Sequence, residues 1–272
     1  MDHPVTGGAP QEGPAAPFYV SQGPEIELFE AAYARGLPVL LKGPTGCGKT
    51  RFVSHMAWRL GRPLTTVACH DDLTGNDLVG RYLLMNGQTQ WMDGPLTRAV
   101  REGAIAYLDE IVEARKDVVV VIHPLADHRR ILPVDRLTTE LPAPPEFMLV
   151  VSFNPGYQSA AKDLKQSTRQ RFVAIQLGYP SPDLEIEILR GETGVAVEMA
   201  RALVQIGAAV RAMVPEGLEE GASPRTLVSA AGLILSGIDP VAACRAAIAH
   251  PITDDPDLEA AISQVIEAHF PG

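Results

Sequence analysis

Residues 43–50 read Gly-Pro-Thr-Gly-Cys-Gly-Lys-Thr, between a short apolar run at 38–42 and a helical pattern at 51–60 that stops at Gly61. The spacing G-x-x-x-x-G-K-[ST], set between a strand and a helix, constrains the fold more than any other feature of the chain. Glycines let the backbone curl until its N–H groups face one small volume, and the N-terminus of the following helix adds positive partial charge there. The ligand such a loop fits is a polyphosphate. In this reading Gly43, Pro44, Thr45, Gly46, Cys47, Gly48, Lys49, Thr50 and Arg51 form the cradle. Lys49 reaches the β- and γ-phosphates of ATP, and the Thr50 hydroxyl holds Mg2+.

Four more apolar runs, at 64–68, 104–108, 147–152 and 173–177, have helical segments between them. Short apolar strands spaced this way indicate a parallel sheet covered on both faces. A helix is expected at 25–35, closed by Gly36. After Gly178-Tyr179-Pro180-Ser181-Pro182 strand signals fade, and helices are expected at 183–192, 197–213, 224–235, 240–249 and 257–269. The expected fold class is therefore α/β. A P-loop core with a five-stranded parallel sheet spans residues 18–178, and a C-terminal all-helical lid domain spans 179–272. The Pro-, Gly- and Ala-rich residues 1–17 read as a disordered arm. Two inserts interrupt the core. Near 81–92, Asn86-Gly87 between alternating arms signals a hairpin, and 129–146 reads as a second hairpin or an extended loop. Tyr82 and Trp91 in the first insert fit equally a pore lining or simple packing.

Composition excludes several classes. The net charge of −10 argues against DNA or RNA as the main partner, because phosphate neutralisation supplies most of such affinity. No apolar stretch approaches the ~18–20 residues needed to span a bilayer, so no membrane insertion is expected. The first residues lack a basic segment followed by an apolar one, so no secretory signal is read. Three scattered cysteines, Cys47, Cys69 and Cys244, fit free thiols in a reducing, cytoplasmic compartment. Cys69-His70-Asp71-Asp72 does not read as a metal cluster, since neighbouring residues at a strand end point apart. His123 and His128 lack partners at ligand spacing.

A magnesium–nucleotide site needs a carboxylate at the end of a neighbouring strand. The run 104–108 ends in Asp109-Glu110. Asp109 is expected to bind the metal through water, and Glu110 to polarise the attacking water as general base. Asn154 ends the fourth strand, on the carboxyl edge where parallel sheets bind ligands, and is placed to orient water near the γ-phosphate. Arg169 and Arg171 precede the fifth strand and so belong to the opposite edge. They are badly placed for their own nucleotide, which suggests a finger given to a neighbouring copy, with Arg171 favoured. A head-to-tail contact of that kind closes a ring. Ser223-Pro224-Arg225 starts a lid helix, and an arginine in a first turn opposes the helix dipole unless an anion is near. The γ-phosphate is such an anion.

In order along the chain, GPTGCGKT, AIAYLDE, NPGYQS, STRQRF and ASPR resemble the MoxR branch of AAA+ ATPases. Within it, DLVGRYLL, DGPLTRAVREGAI, IVEAR, IHPLADHRR, LKQSTRQRF and PITDDPD are similar to the CbbQ/NirQ/NorQ group, over nearly all of residues 18–270. The resemblance implies a hexameric ring working with a von Willebrand factor A-domain partner of the CbbO type. One set of members activates Rubisco by removing inhibitory sugar phosphates, and another activates nitric oxide reductase. LKQST and RGETG are more similar to the Rubisco-associated set.

Overall fold

The chain alternates strands and helices as far as residue 176 and is helical after it. The computed structural model describes residues 16–155 and 164–270. The first stretch runs α1 (Glu25–Ala34), β1 (Val39–Lys42), α2 (Lys49–Arg59), β2 (Leu64–Ala68), α3 (Gly75–Val79), β3 (Gly80–Met85), β4 (Gln88–Asp93), α4 (Pro95–Glu102), β5 (Ile105–Asp109), α5 (Lys116–Ile122), β6 (Ile131–Val134), β7 (Thr139–Pro142), β8 (Met148–Phe153), α6 (Gln166–Arg169) and β9 (Val173–Gln176). The helical stretch contains α7 (Pro182–Thr193), α8 (Val197–Ala212), α9 (Pro224–Leu235), α10 (Pro240–Cys244), α11 (His250–Ile252) and α12 (Pro256–His269).

The main sheet is parallel in the order β2-β5-β8-β1-β9. β1, β5 and β8 lie in its interior and are apolar on both faces, as helix-covered strands must be. One face packs Leu40, Leu108 and Val151 against Leu78, Leu96, Val100, Val118 and Ile122 of α3, α4 and α5. The other packs Leu41, Tyr107 and Val150 against Phe29 of α1 and Phe52 and Met56 of α2, with Phe29 edge-on to Phe52 at 5.5 Å. A separate apolar cluster, including Leu203, Leu227, Ile248 and Ile262, holds the C-terminal helices together. Among the described residues no helix is long and apolar enough to cross a membrane.

Both inserts are antiparallel hairpins, β3–β4 and β6–β7. Asn86 and Gly87 take φ of 51° and 77°, the left-handed pair that matches strand twist in a two-residue turn. Tyr82 meets Trp91 edge-on at 5.3 Å, and the Trp91 indole donates to Asp93 Oδ1 at 2.6 Å. Arg130 ties the base of the second hairpin to the core, donating to the carbonyls of Gly36, Pro144 and Phe147.

The helix expected at 240–249 is not uniform. A π-helical stretch, Arg245–Ala249, joins α10 to α11. Pro251 has no N–H to offer the carbonyl one turn back, and a wide turn before it accommodates the ring. Of the arm read at 1–17, residues 1–15 lie outside the described residues. The Pro17 carbonyl sits 3.1 Å from His55 Nδ1.

Candidate active site

The register aligns the carboxyl ends of the three interior strands. Lys42 pairs with Phe153, and Leu108 with Val151. The glycine loop leaves β1, Asp109 and Glu110 leave β5, and Asn154 leaves β8, which lies between the other two. Side chains far apart in sequence therefore meet at one edge.

The loop's shape depends on three glycines. Gly46 and Gly48 hold φ of 71° and 99°. At Gly43 an added Cβ would stand 2.5 Å from the Leu177 carbonyl oxygen. The first turn of α2 has no side-chain cap, which leaves its N–H groups for a ligand. Lys49 is buried, and its Nζ donates to Gly43 O at 2.9 Å, to Pro44 O at 3.1 Å and to Asn154 Oδ1. It also lies 3.9 Å from Glu110 Oε1. Asn154 donates in turn to Thr45 Oγ1 at 2.9 Å. Burial pushes the Cys47 thiol up, against the nearby Lys49, and keeps it protonated.

Tyr107 and Ser152, not among the residues expected at the site, set the acidic pair. Asp109 Oδ1 accepts from Tyr107 Oη at 2.6 Å and from Ser152 Oγ at 2.5 Å. Its Oδ2 lies 3.5 Å from Thr50 Oγ1. Ser152 also accepts the Glu110 backbone N–H at 3.1 Å, so one hydroxyl orients both acids. The available signal was polarity out of place: a serine and a tyrosine in otherwise apolar buried strands have to satisfy their hydroxyls somewhere. Glu110 takes φ of 55°, an uncommon conformation for a non-glycine residue, as the chain turns out of β5. Burial raises its carboxyl above the usual range; Lys49 opposes that shift and Asp109 adds to it. Replacing Ser152 with Ala strands the Glu110 N–H and removes one of the two donors to Asp109 Oδ1. The expected cost is about 1–3 kcal/mol of stability, read as a lower midpoint in urea unfolding.

These groups face a cavity of about 1010 Å3. One wall is the loop, Asp109, Glu110 and Asn154. Another is the helical region, including Ile188 and Glu192 of α7 and Arg225 and Val228 of α9. Phe18, Tyr19 and Val20 form a third. Tyr19 packs against Phe52 at 5.3 Å and donates to Glu25 Oε1 at 2.9 Å. Arg51 joins two of the walls through an ion pair with Glu192 at 3.0 Å. Lys49, Thr50, Asp109, Glu110, Asn154 and Arg225 thus share one cavity, whereas neither Arg169 nor Arg171 lines it.

Arg169 departs from its expected place at the far edge. Its guanidinium lies 5.4 Å over the ring of Phe153, the last residue of β8 and the neighbour of Asn154. Arg171 donates from Nη1 to the Ser167 carbonyl at 2.5 Å.

A family model described as "AAA domain (dynein-related subfamily)" matches residues 38–172, and one described as "CbbQ/NirQ/NorQ C-terminal" matches residues 185–269. Protein NorQ of Paracoccus denitrificans is 58% identical over 94% of this chain and 94% of its own length. The chain belongs to the CbbQ/NirQ/NorQ family of AAA+ ATPases. Protein CbbQ of Hydrogenophilus thermoluteolus is 56% identical over 93% of this chain and 95% of its own. Among solved structures, RuvB of Thermotoga maritima shares the fold, with a TM-score of 0.53 at 16% identity over 89% of this chain and 67% of that one. Family membership makes this MoxR-branch chain a nucleotide-binding, ATP-hydrolysing enzyme and accounts for the glycine loop and acidic pair on strands that flank β8.

Proposed function

We propose that this ATPase binds magnesium–ATP in the 1010 Å3 cavity and hydrolyses it with Glu110 as general base, as part of a ring whose neighbouring copy supplies Arg171. The observation that carries this reading is the convergence of Lys49, Asp109, Glu110, Asn154 and Arg225 on one cavity. Magnesium fits the donor set, since Thr50 Oγ1 and Asp109 Oδ2 are hard oxygens 3.5 Å apart, beside the lysine that reaches the phosphates. A bound ion would neutralise phosphate charge there. Lys49 holds the β- and γ-phosphates and Asn154 orients the water that Glu110 polarises. Arg225, exposed on the first turn of α9 with no acidic residue in that turn, meets the γ-phosphate from the lid side. In Lys49→Ala the loss of a charge-assisted contact lowers ATP affinity about ten- to a hundredfold, as measured with a fluorescent ATP analogue. Undiminished binding would overturn the assignment.

At the level of the cell, the reading is a cytoplasmic hexamer that remodels and activates inhibited Rubisco through a von Willebrand factor A-domain partner. LKQST at 164–168 and RGETG at 190–194 support Rubisco as the target. The second reading is activation of nitric oxide reductase. It draws on the 58% identity to a relative named NorQ, against 56% to one named CbbQ. Reactivation of sugar-phosphate-inhibited Rubisco by the ATPase and its partner separates the two, and no reactivation favours the second.

A further inference from the structure

Glu185 of α7, fully buried, and Arg211 of α8, partly buried, form an ion pair in the helical region. Arg211 Nη1 and Nη2 donate to Glu185 Oε2 and Oε1 at 2.8 and 2.5 Å. Apolar residues commonly replace such a pair at no cost in stability, so stability alone does not account for it. Further side-chain contacts of Arg211 reach residues next to those that line the nucleotide cavity or touch its glycine loop. Its Nε donates to the Ala222 carbonyl at 2.6 Å. Its guanidinium stacks 4.4 Å over the Tyr179 ring, and the Tyr179 hydroxyl lies 3.5 Å from the Thr45 carbonyl in the glycine loop. Its Cγ lies 2.7 Å from where a Cβ on Gly221 would stand, so only glycine lets the 221–222 backbone approach this closely.

Ala222 is followed by Ser223, which caps α9 by accepting from the Thr226 N–H. Ser223 presses on the loop from above: an added Cβ on Gly46 would stand 2.5 Å from Ser223 Oγ and 3.6 Å from Arg225 Cβ. Arg211 therefore grips the backbone just before the turn that launches Arg225, and through Tyr179 it also touches the loop that Ser223 rests on.

We infer that Arg211 is a positioning residue for catalysis: its contacts with Glu185, Tyr179 and Ala222 seat the 221–225 turn on the glycine loop and so aim Arg225 at the γ-phosphate. The inference rests on the proposed role of Arg225. Lysine at position 211 keeps the charge beside Glu185 but cannot make the two-pronged pair, the stack and the bond to Ala222 together. Small misplacements of a group that acts in the transition state can cost up to about a hundredfold.

The test is a double-mutant cycle on the full chain. It measures kcat per folded site, ATP affinity and melting temperature for Arg211→Lys, Arg225→Ala and the combination. The expected result is a fall in kcat of about ten- to a hundredfold for Arg211→Lys, with little change in ATP affinity and no further fall when Arg225→Ala is already present. A purely structural role would lower the melting temperature, leave kcat per folded site unchanged and overturn the inference, as would two effects that multiply independently. If Arg225→Ala alone leaves kcat unchanged, the role of Arg225 itself fails. If Arg225→Ala lowers kcat and Arg211→Lys does not, only the inference about Arg211 fails. Should Arg211→Lys not fold, Tyr179→Leu removes the stacked ring while leaving the ion pair in place. The same non-additive loss with Arg225→Ala is then expected, and an unchanged or independent effect contradicts the inference.

Discussion

Glu110→Gln binds ATP as the parent chain does and hydrolyses it about 10²–10⁴-fold more slowly. The substitution keeps the size and polarity of the side chain and leaves the backbone N–H bond to Ser152 in place, so the site keeps its shape. What disappears is the capacity to accept a proton from water. Asp109 is not free to take over in the proposed site, because its Oδ1 accepts two hydroxyl donors and its Oδ2 faces Thr50 where magnesium would be held. The direction of the pH dependence follows from burial. A base works only when ionised, and burial raises the Glu110 carboxyl, so activity falls on acidification at a higher pH than for an ordinary carboxylate. The acid limb of kcat/KM therefore lies above the usual carboxylate range, and the residual rate of Glu110→Gln lacks that limb. Normal turnover in the variant would remove Glu110 from the mechanism.

Arg171→Ala lowers ATP hydrolysis by the assembled protein about 10³–10⁵-fold, the range expected for loss of an arginine finger. Arg171 does not line the cavity of its own chain, and its polar contact there is the Ser167 carbonyl in the preceding turn. A guanidinium is best used where planar, charged recognition of phosphate is needed, and a head-to-tail neighbour can bring one. Arg169 is engaged by the face of Phe153, so Arg169→Ala is expected to act mainly through packing beside Asn154, with a smaller loss of rate. Steady-state ATPase assays on the two variants at high protein concentration compare them directly. An Arg171→Ala rate within a few-fold of the parent would reassign the finger.

The glycine loop was readable because phosphate chemistry fixes residue types at fixed spacing, and the interior strands because burial on both faces makes continuous apolar runs. Other parts followed from tertiary context. The run 116–122 contains four consecutive valines, which favour strands by propensity, yet it forms α5. Burying Val118 and Ile122, four apart, while Val120 stays 63% exposed gives the helix its amphipathic face. Strand order was also hidden. β8 runs between β1 and β5, and nothing local in residues 148–153 states its neighbours, although that order brings Asn154 to Lys49. The support of Asp109 by Ser152 depends on the same pairing of β5 with β8. Arg169 lies over Phe153 at the end of β8, a contact that its position before β9 does not describe.

In the proposed ring each catalytic site is shared: one copy supplies Lys49 and Glu110, and its neighbour supplies Arg171. Mixing two inactive variants tests it directly. Lys49→Ala lacks the phosphate grip but retains Arg171, while Arg171→Ala retains an intact cradle. Co-assembled, some seams join a working cradle to a working arginine, so ATPase activity is expected to reappear in the mixture, depend on subunit exchange and peak at intermediate ratios. A mixture that stays as inactive as its components, or an Arg169→Ala/Arg171→Ala chain that hydrolyses ATP at the full rate by itself, would contradict the account.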